Sequence, residues 1–207
     1  MARVLFVNPI VRQEDCPRHV PYGIALLAAI CERNGDQVAI LDCNAHRCGA
    51  HKAGEAALAD SWDVVAIGGL STTFNYIKAA CKEIRAANPN VLIVAGGGFL
   101  TSQPAEMMGW VKEIDVGVVG EAFVTFPEVV REAHTRDFKD MPGIIWRDQG
   151  EPVLNEARPV IHDLDTLPHP AWHLFPLEIY FANSSSLFSE DAYLSTRRID
   201  INASYIS

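Results

Sequence analysis

Two stretches of the sequence carry residue types suited to holding a polar ligand. Ser71-Thr72-Thr73 follows the apolar run DVVAIGGL, and Gly96-Gly97-Gly98 follows the apolar run VLIVA. Hydroxyls at a strand end can bond the polar edge of a ligand. Glycine lets a backbone approach a ligand closely and takes φ values that other residues avoid. Each stretch also has a plainer reading. Thr73 or Asn75 could cap the helix that follows, and the glycines could make an ordinary tight turn between strand and helix. What gives the two stretches weight is their joint position, since together they line neighbouring strand ends.

The elements that must position them follow from the hydrophobic pattern. Short β-branched runs predict strands at Val4–Val7, Gln37–Leu41, Asp63–Leu70, Val91–Ala95 and Asp115–Val119. Helical spacing and Ala/Leu content predict helices at Tyr22–Asn34, Lys52–Trp62, Asn75–Ala87, Ala105–Val111 and Val124–His134. Strand and helix alternating in this way imply a parallel sheet covered on both faces. The right-handed crossover rule narrows the choice to an α/β, doubly wound, flavodoxin-like (Rossmann-like) sheet of five strands in the order 2-1-3-4-5. Such a sheet binds ligands outside the carboxyl ends of its strands, beside the switch point between the first and third.

The pattern changes near Asp140. GIIWR (Gly143–Arg147), a turn at Asp148-Gln149-Gly150 and Pro152–Leu154 read as a β-hairpin. The stretch LDTLPHPAWHLFPLEIYF then reads as an extended linker that packs on something, with Trp172 anchoring it by burial. The expected division is an α/β domain at 1–140, hairpin and linker at 141–182, and a polar tail at 183–207 that suits disorder or a piece of a further domain.

Composition removes several functions. The net charge of −9 over 207 residues argues against binding to phosphate backbones, which needs clustered Lys and Arg. The five cysteines lack paired spacing and read as reduced thiols. The opening run MARVLFVNPI is too short for a signal peptide or a membrane span, so the cytoplasm is the expected location. The loop after the first strand, NPIVRQEDCPRHVPYG, has no G-x-G-x-x-G for a dinucleotide, no P-loop and no hydroxyl-rich flavin phosphate loop. The third strand ends in Gly68-Gly69-Leu70-Ser71, without the aspartate of a response-regulator receiver.

From Arg3 to about Phe181 the chain resembles the N-terminal half of the cobalamin-binding radical SAM proteins. The similarity is carried by Pro21-Tyr22-Gly23-Ile24 with Leu26-Leu27-Ala28-Ala29, by GDQVAILD (Gly35–Asp42), and by Ser71-Thr72-Thr73-Phe74. It continues in Gly96-Gly97 with Thr101 and Pro104-Ala105-Glu106, in Gly120-Glu121 with Thr125, and in Leu164-Asp165, Leu167-Pro168 and Pro170-Ala171-Trp172. The resemblance implies a cobalamin whose nucleotide tail threads into the sheet–helix layer while its corrin ring lies across the strand ends. A Cβ at Gly96 or Gly97 would then occupy the tail's path. The implied binding residues are Ser71, Thr72, Thr73, Gly96, Gly97, Gly98, Thr101, Gly120 and Glu121. In the methyltransferase members the cofactor would serve methyl transfer to a carbon radical made in a partner barrel. In the anaerobic magnesium-protoporphyrin ester cyclase-like members its role differs, and the sequence does not choose between them.

Three features depart from the family pattern. Phe99 stands where the family often has histidine, and Ala122-Phe123 replaces a second Gly-Glu pair. The C-x3-C-x2-C that would hold a [4Fe–4S] cluster is absent, so S-adenosylmethionine and the cluster are expected only in a radical SAM domain outside this chain. No residue is expected to bind the metal. The loop with Asp15, His19 and Gly23 lacks D-x-H-x-x-G spacing, and His46 follows the second strand, so neither histidine is expected on cobalt; the family pattern itself implies a base-off cobalamin. His162, His169 and His173 sit among prolines and read as packing or solvent-exposed residues. The competing expectation is a non-catalytic α/β interaction or sensor domain that has kept the fold without the cofactor.

Overall fold

A computed structural model of the chain describes residues 1–184. Most of the polar tail expected at 183–207 lies outside the described residues. Five parallel strands form the centre: β1 (Arg3–Asn8), β2 (Gln37–Asp42), β3 (Val64–Gly68), β4 (Leu92–Gly96) and β5 (Val116–Val118). Their order is 2-1-3-4-5, as the sequence pattern predicts. The hairpin β6 (Ile144–Asp148) and β7 (Glu151–Leu154) does not stand apart. It adds antiparallel to β5 and completes a seven-stranded sheet.

The alternation of side chains explains why both faces are covered. Leu5, Val7, Val65, Ile67, Ile93 and Ala95 point to one side. There they meet α3 (His51–Leu58), α4 (Phe74–Ala87), α5 (Gly98–Thr101) and α6 (Pro104–Trp110). Val4, Phe6, Val64, Ala66, Leu92 and Val94 point to the other, against α1 (Tyr22–Arg33) and α7 (Ala122–Arg131). A strand that is apolar at every position can be buried only in this sandwich. Glycine at 54 lets α3 approach α4, because a Cβ there would lie 2.9 Å from the Glu83 carbonyl oxygen.

Two short helices exceed the sequence expectation. One is α5. The other is α2 (Cys43–His46), directly after β2, whose first turn is capped by Asp42. The linker is also more structured than expected. It crosses α1 through single 3-10 turns at Leu164–Thr166 and Trp172–Leu174, then forms α8 (Leu177–Ser184). Ala171 N–H donates to the Ala25 carbonyl at 2.9 Å, and the Arg33 guanidinium donates to the Thr166 carbonyl at 2.8 Å. Trp172 is half-buried with its ring 6.0 Å from that of Tyr22, which bears out its anchoring role. Among the described residues, no helix is long and apolar enough to cross a membrane.

Candidate functional site

The carboxyl ends of β3 and β4 emerge in register, with Gly68 beside Gly96. The loops that follow interlock through glycine. A Cβ on Gly68 would lie 2.8 Å from the Gly96 carbonyl oxygen, and one on Gly97 would lie 2.9 Å from that of Gly69. Gly97 also has φ +79°, which side-chain-bearing residues rarely adopt. The contact is tied by Phe99 N–H donating to the Gly69 carbonyl at 2.8 Å. Glycine at 97 is therefore required by the protein itself.

Gly96 differs. Its φ is ordinary, and a Cβ there would find its nearest neighbour, Val118, only at 4.0 Å. Among the described residues nothing excludes a side chain at this position, so the strand end at Gly96 is open. Gly97 and Gly98 are exposed beside it.

The hydroxyls divide into two sets. Ser71 and Thr72 are exposed on a single 3-10 turn that leads into α4. Thr73 is buried, and its hydroxyl donates to the Leu70 carbonyl at 2.7 Å instead of capping the helix. Thr101 is exposed, and its hydroxyl oxygen accepts from Gly120 N–H at 3.1 Å, bridging the ends of β4 and β5. Gly120 owes its glycine to φ +81°, since a Cβ there would meet open space. The Glu121 carboxylate accepts from Ile161 N–H at 2.9 Å and so holds the linker. The predicted residues thus gather along one rim, but Thr73, Thr101 and Glu121 each already have a partner within the protein. Phe99 is buried in the core, its ring 6.0 Å from that of Phe74. His19 and His46 are both exposed.

A second polar cluster, missed from sequence, closes the ends of β1 and β2. Asp42 is 2% exposed. Its carboxylate accepts from the Asn8 amide at 2.7 Å, from Ala45 N–H at 2.9 Å and from the Tyr180 hydroxyl at 2.5 Å. Burial, reinforced by the Asp42 charge, pushes the Tyr180 hydroxyl pKa up, so it remains a donor. Next to them the Asn44 side chain accepts from Val11 N–H at 3.2 Å. Arg47, in the left-handed conformation, donates to the Arg12 and Gln13 carbonyls at 2.6 Å each. The loop after β1 is thereby held from the β2 side, and Asn183 of α8 adds a bond to the Pro17 carbonyl at 2.9 Å. The one signal in the sequence was the Asp-Cys-Asn run closing a strand.

The arrangement is a mostly parallel sheet with an open glycine end next to a polar rim. The model of the B12 binding domain family matches residues 12–130. The chain belongs to the B12-binding domain family. Its similarity to curated proteins includes the uncharacterized methyltransferase PH0819 of Pyrococcus horikoshii, 28% identical over 164 residues. That match takes in 79% of this chain and 36% of the relative, so the chain spans about a third of the relative's length. Among solved structures, the radical S-adenosylmethionine methyltransferase TsrM of Kitasatospora setae superposes with a TM-score of 0.66 at 21% identity. There the B12-binding domain is matched over 75% of its own chain and 30% of TsrM. The cobalamin-dependent S-adenosylmethionine radical enzyme OxsB gives a TM-score of 0.70 at 14% identity, over 83% of this chain and 24% of OxsB. At these identities the two likenesses speak for the fold.

Proposed function

We propose that this B12-binding domain is the cobalamin-presenting part of a radical SAM enzyme, working with a barrel that holds S-adenosylmethionine and a [4Fe–4S] cluster. The observation that carries the reading is the open strand end at Gly96, flanked by the exposed hydroxyls of Ser71 and Thr72. An extended, polar nucleotide tail fits such a rim, because the backbone allows close approach and the hydroxyls supply bonds. Gly96, Gly97 and Gly98 would face the tail with backbone alone. The Thr101–Gly120 pair and Glu121 would keep the neighbouring strand end and the linker in place. When bound, the corrinoid supplies a cobalt centre that can carry a methyl group or serve cyclase-type chemistry. The residues of this chain bind and orient it. The family resemblance adds that the bound form would be base-off, and the loop after β1, which has no D-x-H-x-x-G spacing, would bring no histidine to cobalt.

The test is retention. The protein is mixed with hydroxocobalamin, desalted, and its visible spectrum recorded. About one equivalent of a base-off corrinoid is the expected result. A colourless protein would favour the alternative, a non-catalytic α/β interaction or sensor domain.

A further inference from the structure

The turn after β2 contains a feature that the rim does not use. Helix α2 begins at Cys43 and ends with Arg47 at φ 53°. Arg47 N–H donates to the Cys43 carbonyl, and Cys48 N–H reaches the same carbonyl at 3.2 Å. This left-handed closure stacks the residue just past a helix end on the one a turn earlier, and a side-chain contact between those two positions usually accompanies it. Here the two positions are Cys43 and Cys48. Cys43 belongs to the buried core cluster on that face, and Cys48 and Tyr76 pack against the same cluster. The Tyr76 hydroxyl donates to the Cys48 carbonyl at 3.0 Å, which pins the turn from α4. The two thiols are unequal, since Cys43 is fully buried while Cys48 is half-exposed.

We propose that Cys43 and Cys48 are a thiol-modification site that reacts with low-molecular-weight disulfides and closes to an intramolecular disulfide. The backbones of the two residues are drawn together by the Cys48 N–H bond to the Cys43 carbonyl at 3.2 Å, and a disulfide needs such closeness, with Cα atoms about 4.4–6.8 Å apart. Cys48 meets the oxidant first. Its thiolate attacks one sulfur of the reagent, forming a mixed disulfide and releasing one thiol. Cys43 then attacks the Cys48 sulfur and expels the second thiol. In total two protein thiols are oxidised, one reagent disulfide is reduced to two thiols, and the two protein protons end on those thiols. Burial holds the Cys43 thiol above the ordinary thiol range, so the second step is the slow one. The closed bond would staple the turn carrying Asn44 and Arg47, whose side chains hold the loop after β1. Among intracellular proteins, such bonds are usually transient or redox-sensing.

The experiment uses the 207-residue chain and oxidised glutathione as probe. After incubation, free thiols are blocked with N-ethylmaleimide under denaturing conditions and peptides are mapped by mass spectrometry. The expected product carries two fewer N-ethylmaleimide groups than the equally blocked reduced chain and yields a linked Cys43–Cys48 peptide. Cys16, Cys31 and Cys81 are free cysteines, the first exposed and the other two buried, and do not enter that linkage. Cys43→Ser should stop at a lasting glutathione adduct on Cys48, and Cys48→Ser should lose the cross-link. The parent alone decides the matter if a variant fails to fold. A parent in which both thiols remain blockable, or in which Cys48 stays glutathionylated, overturns the proposal.

Discussion

The two halves of the sheet's carboxyl edge are built in opposite ways. At β3 and β4 the edge is almost without side chains, and Gly68, Gly69, Gly96 and Gly97 pack backbone against backbone. At β1 and β2 it is filled by the buried side chains of Asn8, Asp42, Asn44 and Tyr180, with Asn8 and Tyr180 both bonded to Asp42. One end is left open at Gly96. The other is closed by the protein's own strap, which returns from α8. The contrast suggests a division of labour in which one half receives and the other holds the loop and linker that border it. Glycine within the receiving half is not all alike, because Gly97 serves the fold while Gly96 does not.

The largest effect is expected at Gly97. Gly97→Val forces a β-branched residue to φ +79° and drives a Cβ to within 2.9 Å of the Gly69 carbonyl oxygen. Backbone strain and overpacking each cost about 1–3 kcal/mol, so a loss of about 4 kcal/mol is expected. Against a total of about 5–15 kcal/mol this leaves a marginal domain. Urea unfolding followed by circular dichroism measures it, and a midpoint like that of the parent would mean that the two loops do not interlock. Asp42→Ala comes next. It leaves the Asn8 amide, the Tyr180 hydroxyl and Ala45 N–H in a buried site without their acceptor. An unsatisfied buried group costs about 1–3 kcal/mol, and partial relaxation puts the expected loss near 3 kcal/mol. Tyr180→Phe, which removes one donor to a carboxylate, should cost about 2 kcal/mol in the same assay.

These two ends also differ in what the sequence could show. The parallel order was legible because VVAIG and LIVAG are apolar at every position, a pattern that fits a strand covered on both faces. The glycine rim was legible because its members are contiguous. The polar latch was not, since Tyr180 and Asp42 are 138 residues apart and nothing local marks either as a partner. Helix α8 was missed for a related reason. Its eight residues have little amphipathic pattern, and the burial of Tyr180 against the β1–β2 end supplies what propensity lacks. The docking of the hairpin onto β5 was also hidden. It depends on Gly117, which leaves space for Leu100 and Ile145 above the short strand.

Gly96→Ala sharpens the comparison, because stability and binding should move in opposite directions. The added methyl meets no atom closer than 4.0 Å, and alanine restricts the unfolded chain. Stability should hold or rise by up to about 1 kcal/mol. The same methyl stands where the tail of cobalamin is proposed to pass, so affinity should fall by roughly tenfold or more, about 1.4 kcal/mol. Equilibrium titration with hydroxocobalamin beside a urea curve separates the two. Unchanged affinity in a folded variant would remove Gly96 from the cofactor's path.

The smallest effect is expected at the histidines. His19→Ala and His46→Ala should leave the visible and paramagnetic spectra of bound cobalamin unchanged. His46 is exposed at the end of α2, beside the latched half of the edge rather than the open one. The loop containing His19 is fixed at several points, through Val11 N–H, the Arg12 and Gln13 carbonyls and the Pro17 carbonyl. Those bonds hold the loop to the β2 side and to α8, and His19 itself is exposed. An imidazole on cobalt(II) would add nitrogen superhyperfine splitting to the paramagnetic signal. If the parent shows that splitting and His19→Ala loses it, the latched half does more than hold its neighbours. The loop would then supply a ligand to the metal, and the separation between a receiving half and a holding half would fail at that residue.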